Sequence, residues 1–441
     1  MNIFKYMQTD KYLQYHRNEL IFKEKSRGVF YTDVISRVKL ELMGSGAVVS
    51  GNNVLTGFSG NKPSYAPVSS LVVPSTLLSS ITSAYISYAV NGTVLFDDEE
   101  NSYLKKKVKE IIKIQSIGGS VLLRKVEHNG ETLINLYTPL SYFTEYDEFI
   151  QDKISSYNIF NKVGDNEDEE IYLIETHTDN LISYRYVKLD KESNSARYVD
   201  TYIEGLRNGV GEDNIVYSYE TVSEPIVAEV LNISFGGDAD YTDDNVDLLK
   251  ELVVTNTINS QTFDKISNPL LSLPEEALEY DLNGNAKVNL QDRVIIVRDG
   301  GNKPEQISLE SRIDQSQIHK ENIENNIFSS LAVNKTALGL TDVSQLSGEA
   351  LRRMMSATIS RVEEKRGEVA NAFDYLLGIE ITFPEVVMPS FDEQVTGVEK
   401  AVSAGVMSQE KGTTIVSGAD DWEKVKSESA NKVSDYQGFG V

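Results

Sequence analysis

The chain contains no cysteine. That removes disulfides, thiolate nucleophiles and Cys-ligated metals, and it fits a reducing compartment. Histidine is almost as scarce, with four among 441 residues. His16, His128, His177 and His319 share no spacing and read as surface residues rather than as a catalytic or metal-binding set. No G-x-x-x-x-G-K-[ST] loop is present, so ATP hydrolysis would belong to a partner. The glycines of GSGAVVSGNNVLTGFSG (44–60) miss a dinucleotide fingerprint because Val49 stands where the third glycine belongs. No constellation for catalysis or cofactor binding emerges, and the chain is expected to be no enzyme. A long apolar run is also missing. Met1 to Arg27 is charged and aromatic, so no secretory signal is expected. The uncharged stretch between Lys62 and Asp97 is interrupted by Pro63, Pro67 and Pro74, which predicts a buried helix with flanking loops rather than a membrane span.

Basic residues are outnumbered, 42 Lys and Arg against 67 Asp and Glu, for a formal charge of −25. Such a chain gains little affinity by neutralising phosphates and should not grip DNA, although it could surround DNA that slides. The length allows two to four domains, and the apolar content suffices for real cores.

The organising stretch runs from Ser311 to Gly378. Leu351, Met354, Met355, Ile359, Val362, Val369, Phe373, Leu376 and Leu377 fall mostly three or four apart, which predicts one long helix from about Ser347 to Gly378. About 30 residues at ~1.5 Å each would make a rod of roughly 45 Å, too long for one small domain to bury, so its apolar face is expected to pack within or between subunits. Upstream, residues 5–25 predict an amphipathic surface helix, and 103–117 a second helix ending at Gly118-Gly119. Val121–Val126 and Thr132–Tyr137 flank Asn129-Gly130, a strong hairpin signal. Strands are expected at Ile171–Glu175, Leu181–Leu189 and Tyr198–Ile203, with the acidic run Asp165–Glu170 as a solvated turn. A helix opens at Asp243 and runs through Val246, Leu249 and Val253, closed by Pro269 and Pro274. Short strands and turns fill Leu282–Leu309, including Arg293–Arg298 and Gln306–Leu309. A return helix carries Ile313, Ile323, Ile327, Phe328 and Leu331 behind a capping box at Ser311 and Asp314.

This order resembles that of tailed-bacteriophage portal proteins of the siphophage type. PEQISLESRIDQSQIHKENIENNIFSSLAV (304–333) resembles the helix returning from the portal clip. TALGLTDVSQLSGEALRRMMSATISRVEEKRGEVANAF (336–373) is similar to the tunnel loop and long helix, with its Ser-Gly-x-Ala-Leu step at Ser347 to Leu351. IQSIGGSVLLRKVEHNGETLINLYTPLSYFTEYDE (114–148) looks like a wing segment, and VEKAVSAGVMSQEKGTTIV (398–416) resembles the C-terminal helical unit. The resemblance covers about residues 100–430 and implies an α+β portal-like fold. Its regions would be a wing (1–242), an outgoing stem helix (243–268), a β-rich clip (269–309) and a returning stem helix (310–332). A tunnel loop (333–346), a long wing helix with a following strand (347–390) and a short crown (391–441) would complete it. It further implies a homo-oligomeric ring, typically a dodecamer, at a capsid vertex of the virion, assembled in the host cytoplasm. Double-stranded DNA would pass through it weakly and non-specifically. The terminase large subunit, a head-completion adaptor, and the major capsid and scaffolding proteins would be its other partners. By the same resemblance Asn334, Lys335, Thr336, Thr341, Asp342 and Ser344 would line the channel as a movable loop, and Leu351, Met355, Ile359, Val362, Val369 and Phe373 would form the packing helix. Another phage head–tail connector ring is the nearest alternative.

One motif competes locally. Asp281, Asn283, Asn285, Asn289 and Asp292 place oxygen ligands at positions 1, 3, 5, 9 and 12 of an EF-hand or dockerin-like calcium loop, which would make the chain a calcium-binding interaction module. Ala286 stands where the sharp turn wants glycine, Asp292 is one methylene shorter than Glu, and Arg293–Val297 continues as a strand, so a clip hairpin on Asn283-Gly284 is the expectation. Calorimetric titration with calcium should give no stoichiometric signal. A micromolar signal lost in Asp281→Ala would overturn the hairpin assignment.

Overall fold

The computed structural model describes residues 3–23, 36, 38–39, 49–50, 53–59, 62–67, 72–147, 149–150, 153–165, 168–178, 181–190, 195–198, 219–267, 271–274, 294–297, 313–341, 348–387, 391–408 and 411. It is a mixed α/β protein with small, mostly antiparallel sheets, compatible with the expected α+β class. Asp281–Asp292, Asp342, Ser344 and Gln306–Leu309 lie outside the described residues, as does most of Tyr198–Ile203.

Helices α1 (Ile3–Met7) and α2 (Asp10–Phe22) are less superficial than their charge pattern suggests. Tyr15, Asn18 and Ile21 of α2 are buried, and Asn18 Nδ2 donates to the carbonyls of Ile117 (3.0 Å) and Tyr241 (3.2 Å). The buried face is built from an amide and a tyrosine as much as from aliphatics, so hydropathy periodicity understates it. Strands β1 (Val49–Ser50), β2 (Asn53–Ser59) and β3 (Lys62–Pro67) form an antiparallel sheet with β3 at one edge. Pro63 and Pro67 therefore sit in a strand rather than in loops, and an edge tolerates a residue without an N–H.

The uncharged stretch folds as expected into a buried helix, α3 (Leu77–Ala89), whose Leu78, Ile81, Tyr85 and Ala89 are all inside. No described helix is long and apolar enough to cross a membrane. After β4 (Leu95–Phe96) and β5 (Glu99–Glu100) comes α4 (Ser102–Gly118), capped by Asn101, whose side chain accepts from the Leu104 N–H at 3.1 Å. Gly119 ends it in the left-handed region, and a Cβ there would lie 2.2 Å from the Gly237 carbonyl oxygen, so only glycine fits.

Strands β6 (Ser120–His128) and β7 (Glu131–Tyr137) form the expected hairpin, with Asn129 and Gly130 both at positive φ. The next strands are β8 (Tyr142–Tyr146), β9 (Ile154–Asp165), β10 (Glu169–Thr178), β11 (Leu181–Asp190), β12 (Ser195–Tyr198) and β13 (Tyr219–Thr221). They form a second antiparallel sheet in the order β12-β11-β10-β9-β8, with β13 also on β11. The acidic run lies at the β9–β10 turn, where Lys162 Nζ meets Asp165 and Glu170 at 2.7 Å each. β14 (Val227–Leu231) returns to pair with β6, giving β14-β6-β7. Successive β6 residues are buried on opposite faces. Val121 and Leu123 join the main helical core, whereas Leu122 packs with Tyr142 and Ile159 of the larger sheet. The three-stranded sheet is thus the middle layer between helices and second sheet.

Helix α5 (Asp243–Ser267) opens on Asp243 and Asp244, as its dipole favours. α6 (Ile313–Ser330) runs back along it, with Ser330 bonded to Asn245, His319 3.5 Å from Glu251, and Ser316 bonded to Asn259. Between them the chain forms a small parallel pair, β15 (Leu271–Pro274) with β16 (Val294–Val297).

The expected single long helix is two. α7 (Gly348–Met354) and α8 (Ser356–Leu377) meet at buried Met355, whose ψ of 4° bends the chain. At this junction Asn334 Nδ2 donates to the Met354 carbonyl at 2.9 Å, and a side chain inserted at the helical ladder is a recognised cause of a kink. The apolar face is buried within the chain itself. Met355, Val362, Val369 and Phe373 are inside and Leu351 and Ile359 half-buried, all in the core shared with α3, α4 and α5. The chain ends its described course with β17 (Ile381–Thr382), paired with β4, and α9 (Phe391–Ser403).

Phe373→Ala should cost about 3–5 kcal/mol in denaturant unfolding, the range for deleting a buried aromatic. Tyr375→Ala, at a side chain 60% exposed, should cost less than about 1 kcal/mol. Equal losses would mean that the buried face of α8 is misassigned.

Candidate functional site

The resemblance directs attention to the segment after α6, and its first half is a built structure rather than a slack loop. α6 ends on a turn in which the Val333 N–H donates back to the Phe328 carbonyl (2.9 Å) and Ala332 takes φ +53°. A short 3-10 helix, Lys335–Leu338, follows. Asn334 caps it, its Oδ1 accepting from the Thr336 N–H at 2.9 Å, while its own N–H donates to Thr358 Oγ1 at 3.0 Å. The Tyr88 hydroxyl donates to the Ala337 carbonyl from α3 at 3.2 Å. Thr336 is buried, so it does not line a surface, and Lys335 extends its ammonium over the Phe328 ring. Over 333–338, capping and two helix contacts hold the backbone. Gly339 then turns at φ +68°, leaving Leu340 and Thr341 exposed. Of the six residues expected at a channel, Thr341 is the fully exposed one among those described.

Beneath this segment lies a cluster of buried charge that the apolar pattern missed. Asp240 Oδ1 accepts from Arg361 Nη2 (2.7 Å) and from Asn232 Nδ2 (2.9 Å), and Lys365 Nζ sits 3.1 Å from Asp240 Oδ2, over the Tyr85 ring. Arg361 also donates to Asn232, reaches Glu364 at 3.0 Å, and stacks on Phe235. Asp240, Arg361 and Lys365 are all nearly inaccessible. Burial pushes the Lys365 ammonium down to about 8, although the Asp240 charge pulls the other way. Burial works to raise the Asp240 carboxyl, but Lys365 and Arg361 outweigh it and hold it below its ordinary value. Arg366, one position on, spends its guanidinium on carbonyls: Ala89 (2.9 Å) and Tyr88 (2.8 Å) at the end of α3, and Pro384 (2.7 Å) after α8. It thereby satisfies acceptors that a helix C-terminus leaves open. The signal was present in the sequence. Between Val362 and Val369 the slot of the apolar stripe is filled by Lys365-Arg366.

A second polar cluster joins the two sheets. His177, expected at the surface, is buried, with Nε2 2.6 Å from Glu175 Oε1, which Arg124 Nη2 of β6 approaches at 2.7 Å. The strand register puts Glu175 and His177 on one face of β10, opposite β6, which hides both. Nearby, the Tyr142 hydroxyl donates to Glu229 Oε1 at 2.7 Å and shares a short contact with Ser120. His16, His128 and His319 are exposed as expected. Among the described residues no group of His, Asp and Glu is placed to hold a metal ion. Both clusters are held by internal ion pairs and hydrogen bonds, and His177 also lines a small cavity of about 80 Å³ with Ser156, Thr178 and Tyr375.

Asp240→Asn should destabilise the chain by about 3–5 kcal/mol, because Arg361 keeps its buried charge without its counterpart. Lys365 binds its proton less tightly folded than unfolded. Between pH 8 and its ordinary 10.5 the unfolded chain holds the extra proton, so stability rises with pH there, and below about 8 this group adds no slope. Denaturant midpoints of the wild type and Lys365→Met, measured from pH 7 to 10, should differ by that rise. Parallel curves would mean that Lys365 is not buried as a charge. No protein-family model matches the chain, and no curated protein matches it.

Proposed function

We propose that the chain is the subunit of a portal-type ring, the DNA channel at a phage capsid vertex, used in packaging, head–tail attachment and ejection. The observation that carries this reading is the order and pairing of elements after residue 242. A long helix whose Val246, Leu249, Leu252 and Val253 lie in the core is followed by a segment with a small strand pair, and an antiparallel helix returns along the first. A capped turn then leads into a bent helix lying in the body's core. In a portal these are outgoing stem, clip, returning stem, tunnel loop and wing helix, and the regions 1–242 and 391–441 are then wing and short crown.

The electrostatics support the same role. A chain of net charge −25 gains little affinity by neutralising phosphates, and a channel that DNA must traverse works by weak, non-specific contact. In this reading the exposed turn at Leu340 and Thr341 faces the DNA, and the chain carries no catalytic role. Terminase would dock on the clip during packaging and an adaptor afterwards, with scaffolding and major capsid proteins around the wing.

The test is the shape of the assembled protein. Negative-stain images of the purified full chain at micromolar concentration should show top views of rings with a central hole, and mass photometry a matching closed oligomer. A monodisperse monomer in both measurements would overturn the reading.

A further inference from the structure

The chain as a whole is acidic, yet one helix carries the opposite sign. α4 holds Lys105, Lys106, Lys107, Lys109 and Lys113 against a single carboxylate, Glu110. Lys105 donates to the Gly92 carbonyl at 2.6 Å, and Lys107 lies 3.4 Å from Glu110, so that carboxylate is already paired. Lys113 sits over the Phe22 ring, while Lys106 and Lys109 are exposed and have no partner among the described residues. The acidic residues nearest in sequence, Asp97 to Glu100, precede the first turn of the helix.

β7 runs beside this helix as an outer strand of the sheet β14-β6-β7. In an antiparallel pair alternate residues turn their N–H and carbonyl away from the partner strand. On β6 the Lys125 N–H points to the β14 side, where it meets the Ile226 carbonyl at 2.8 Å, so Ile134, opposite Lys125, faces the open side of β7. The Tyr103 hydroxyl of α4 fills that position, accepting from the Ile134 N–H at 3.0 Å and donating to the Ile134 carbonyl at 3.4 Å. Leu136 is the next residue to face outward, and among the described residues nothing bonds its N–H or carbonyl. It borders an open groove of about 580 Å³ between α4 and β7, lined by Ile114, Asn135 and Tyr137 together with Lys107, Glu110 and Lys113.

Two features of this groove define what fits it. An unpaired strand edge is a template for another extended polypeptide, whereas a nucleic acid or a lipid headgroup offers no matching N–H and carbonyl groups. The lysines set the sign. Two β7 edges brought together would also bring two basic helices together, so the edge rejects its own kind and attracts a strand that carries carboxylates. Lys106 follows the same helical stripe as Glu110 and Lys113, which puts it at the rim of the groove. We propose that the open edge of β7 beside α4 is a docking site for an acidic polypeptide segment in extended form, which pairs with the Leu136 backbone and lays its carboxylates against Lys106, Lys107 and Lys113. The site does not depend on the ring reading.

The probe is a fluorescein-labelled peptide of alternating glutamate and valine, titrated into the full chain. Its anisotropy should saturate at one peptide per chain, and Lys106→Glu with Lys113→Glu should weaken binding by roughly tenfold or more at low salt. An unchanged melting temperature in that variant, and a smaller loss of binding in the exposed single change Lys106→Glu, separate lost contact from lost fold. Undiminished binding in the double variant would overturn the charge match. Amide exchange reads the backbone pairing. The Leu136 N–H should exchange fast in the free chain and at least ~10-fold more slowly with peptide bound, while Asn135 and Tyr137, paired to β6, stay slow throughout. Peptides N-methylated at alternate amides should differ, one set losing binding and the other keeping it, because only one set faces the edge. Equal binding by both sets, or an unchanged Leu136 rate, would rule out strand addition. Displacement of the peptide by a short DNA duplex would show a site for phosphate instead. A Leu136 amide already slow in the purified chain, and faster on dilution, would give the edge to a second copy and overturn the acidic partner.

Discussion

The arrangement of the helical layer depends on one buried carboxylate. Asp240 stands in the connection between β14 and α5, and its backbone is tied to α4 through the Ser116 carbonyl (2.9 Å) while its own carbonyl accepts from Asn245 of α5 (3.0 Å). Its side chain holds Arg361 and Lys365 of α8, one helical turn apart. Taking three charges out of water is costly, and a hydrophobic replacement of such a cluster is often no less stable. What apolar contact does not supply is registry. A stripe of Val and Phe tolerates rotation or a sliding step of α8, whereas two cations on one carboxylate admit a single seating. Arg366 adds a second fix by closing the end of α3. With α8 set, Thr358 is placed to receive the Asn334 N–H, and the turn after α6 is set with it.

The middle sheet carries the other half of that constraint. β6 is buried on both faces, so its odd residues commit to the helices and its even ones to the larger sheet. A slip of one residue would exchange Leu123 for Arg124 at the helical core. The ion contact of Arg124 with Glu175, which also hydrogen-bonds His177 of its own strand, joins the two sheets at a position where aliphatic packing alone would leave register loose. Both joints therefore fix where neighbouring layers sit against one another.

Local chemistry was legible in the sequence wherever it is self-contained. The Asn129-Gly130 hairpin, the Gly119 stop, the acidic start of α5, and the buried uncharged α3 follow from turn residues, dipole and composition. What could not be read locally was anything decided by a partner far along the chain. The kink at Met355 depends on Asn334, the burial of His177 on Arg124, and the inward face of α2 on carbonyls at Ile117 and Tyr241. A periodic pattern scores Leu and Val but is silent on an Asn or a Lys that is buried because something across the fold satisfies it. The Lys365-Arg366 interruption is the partial exception, since a charge pair inside an apolar stripe states that an acceptor must exist without saying which.

The acidic balance constrains the ring reading from two sides. A chain that repels phosphate also repels its own copies, so the property that would let DNA slide works against closing a ring around it. Both demands are met only if acidic residues cover the general surface while contact areas between copies are uncharged and apolar. α3 carries no charge over thirteen consecutive residues, and its outer side borders an open groove that Glu324 also lines. Serines at 80, 83 and 87 hydrate its outer side without adding the repulsion that carboxylates would bring.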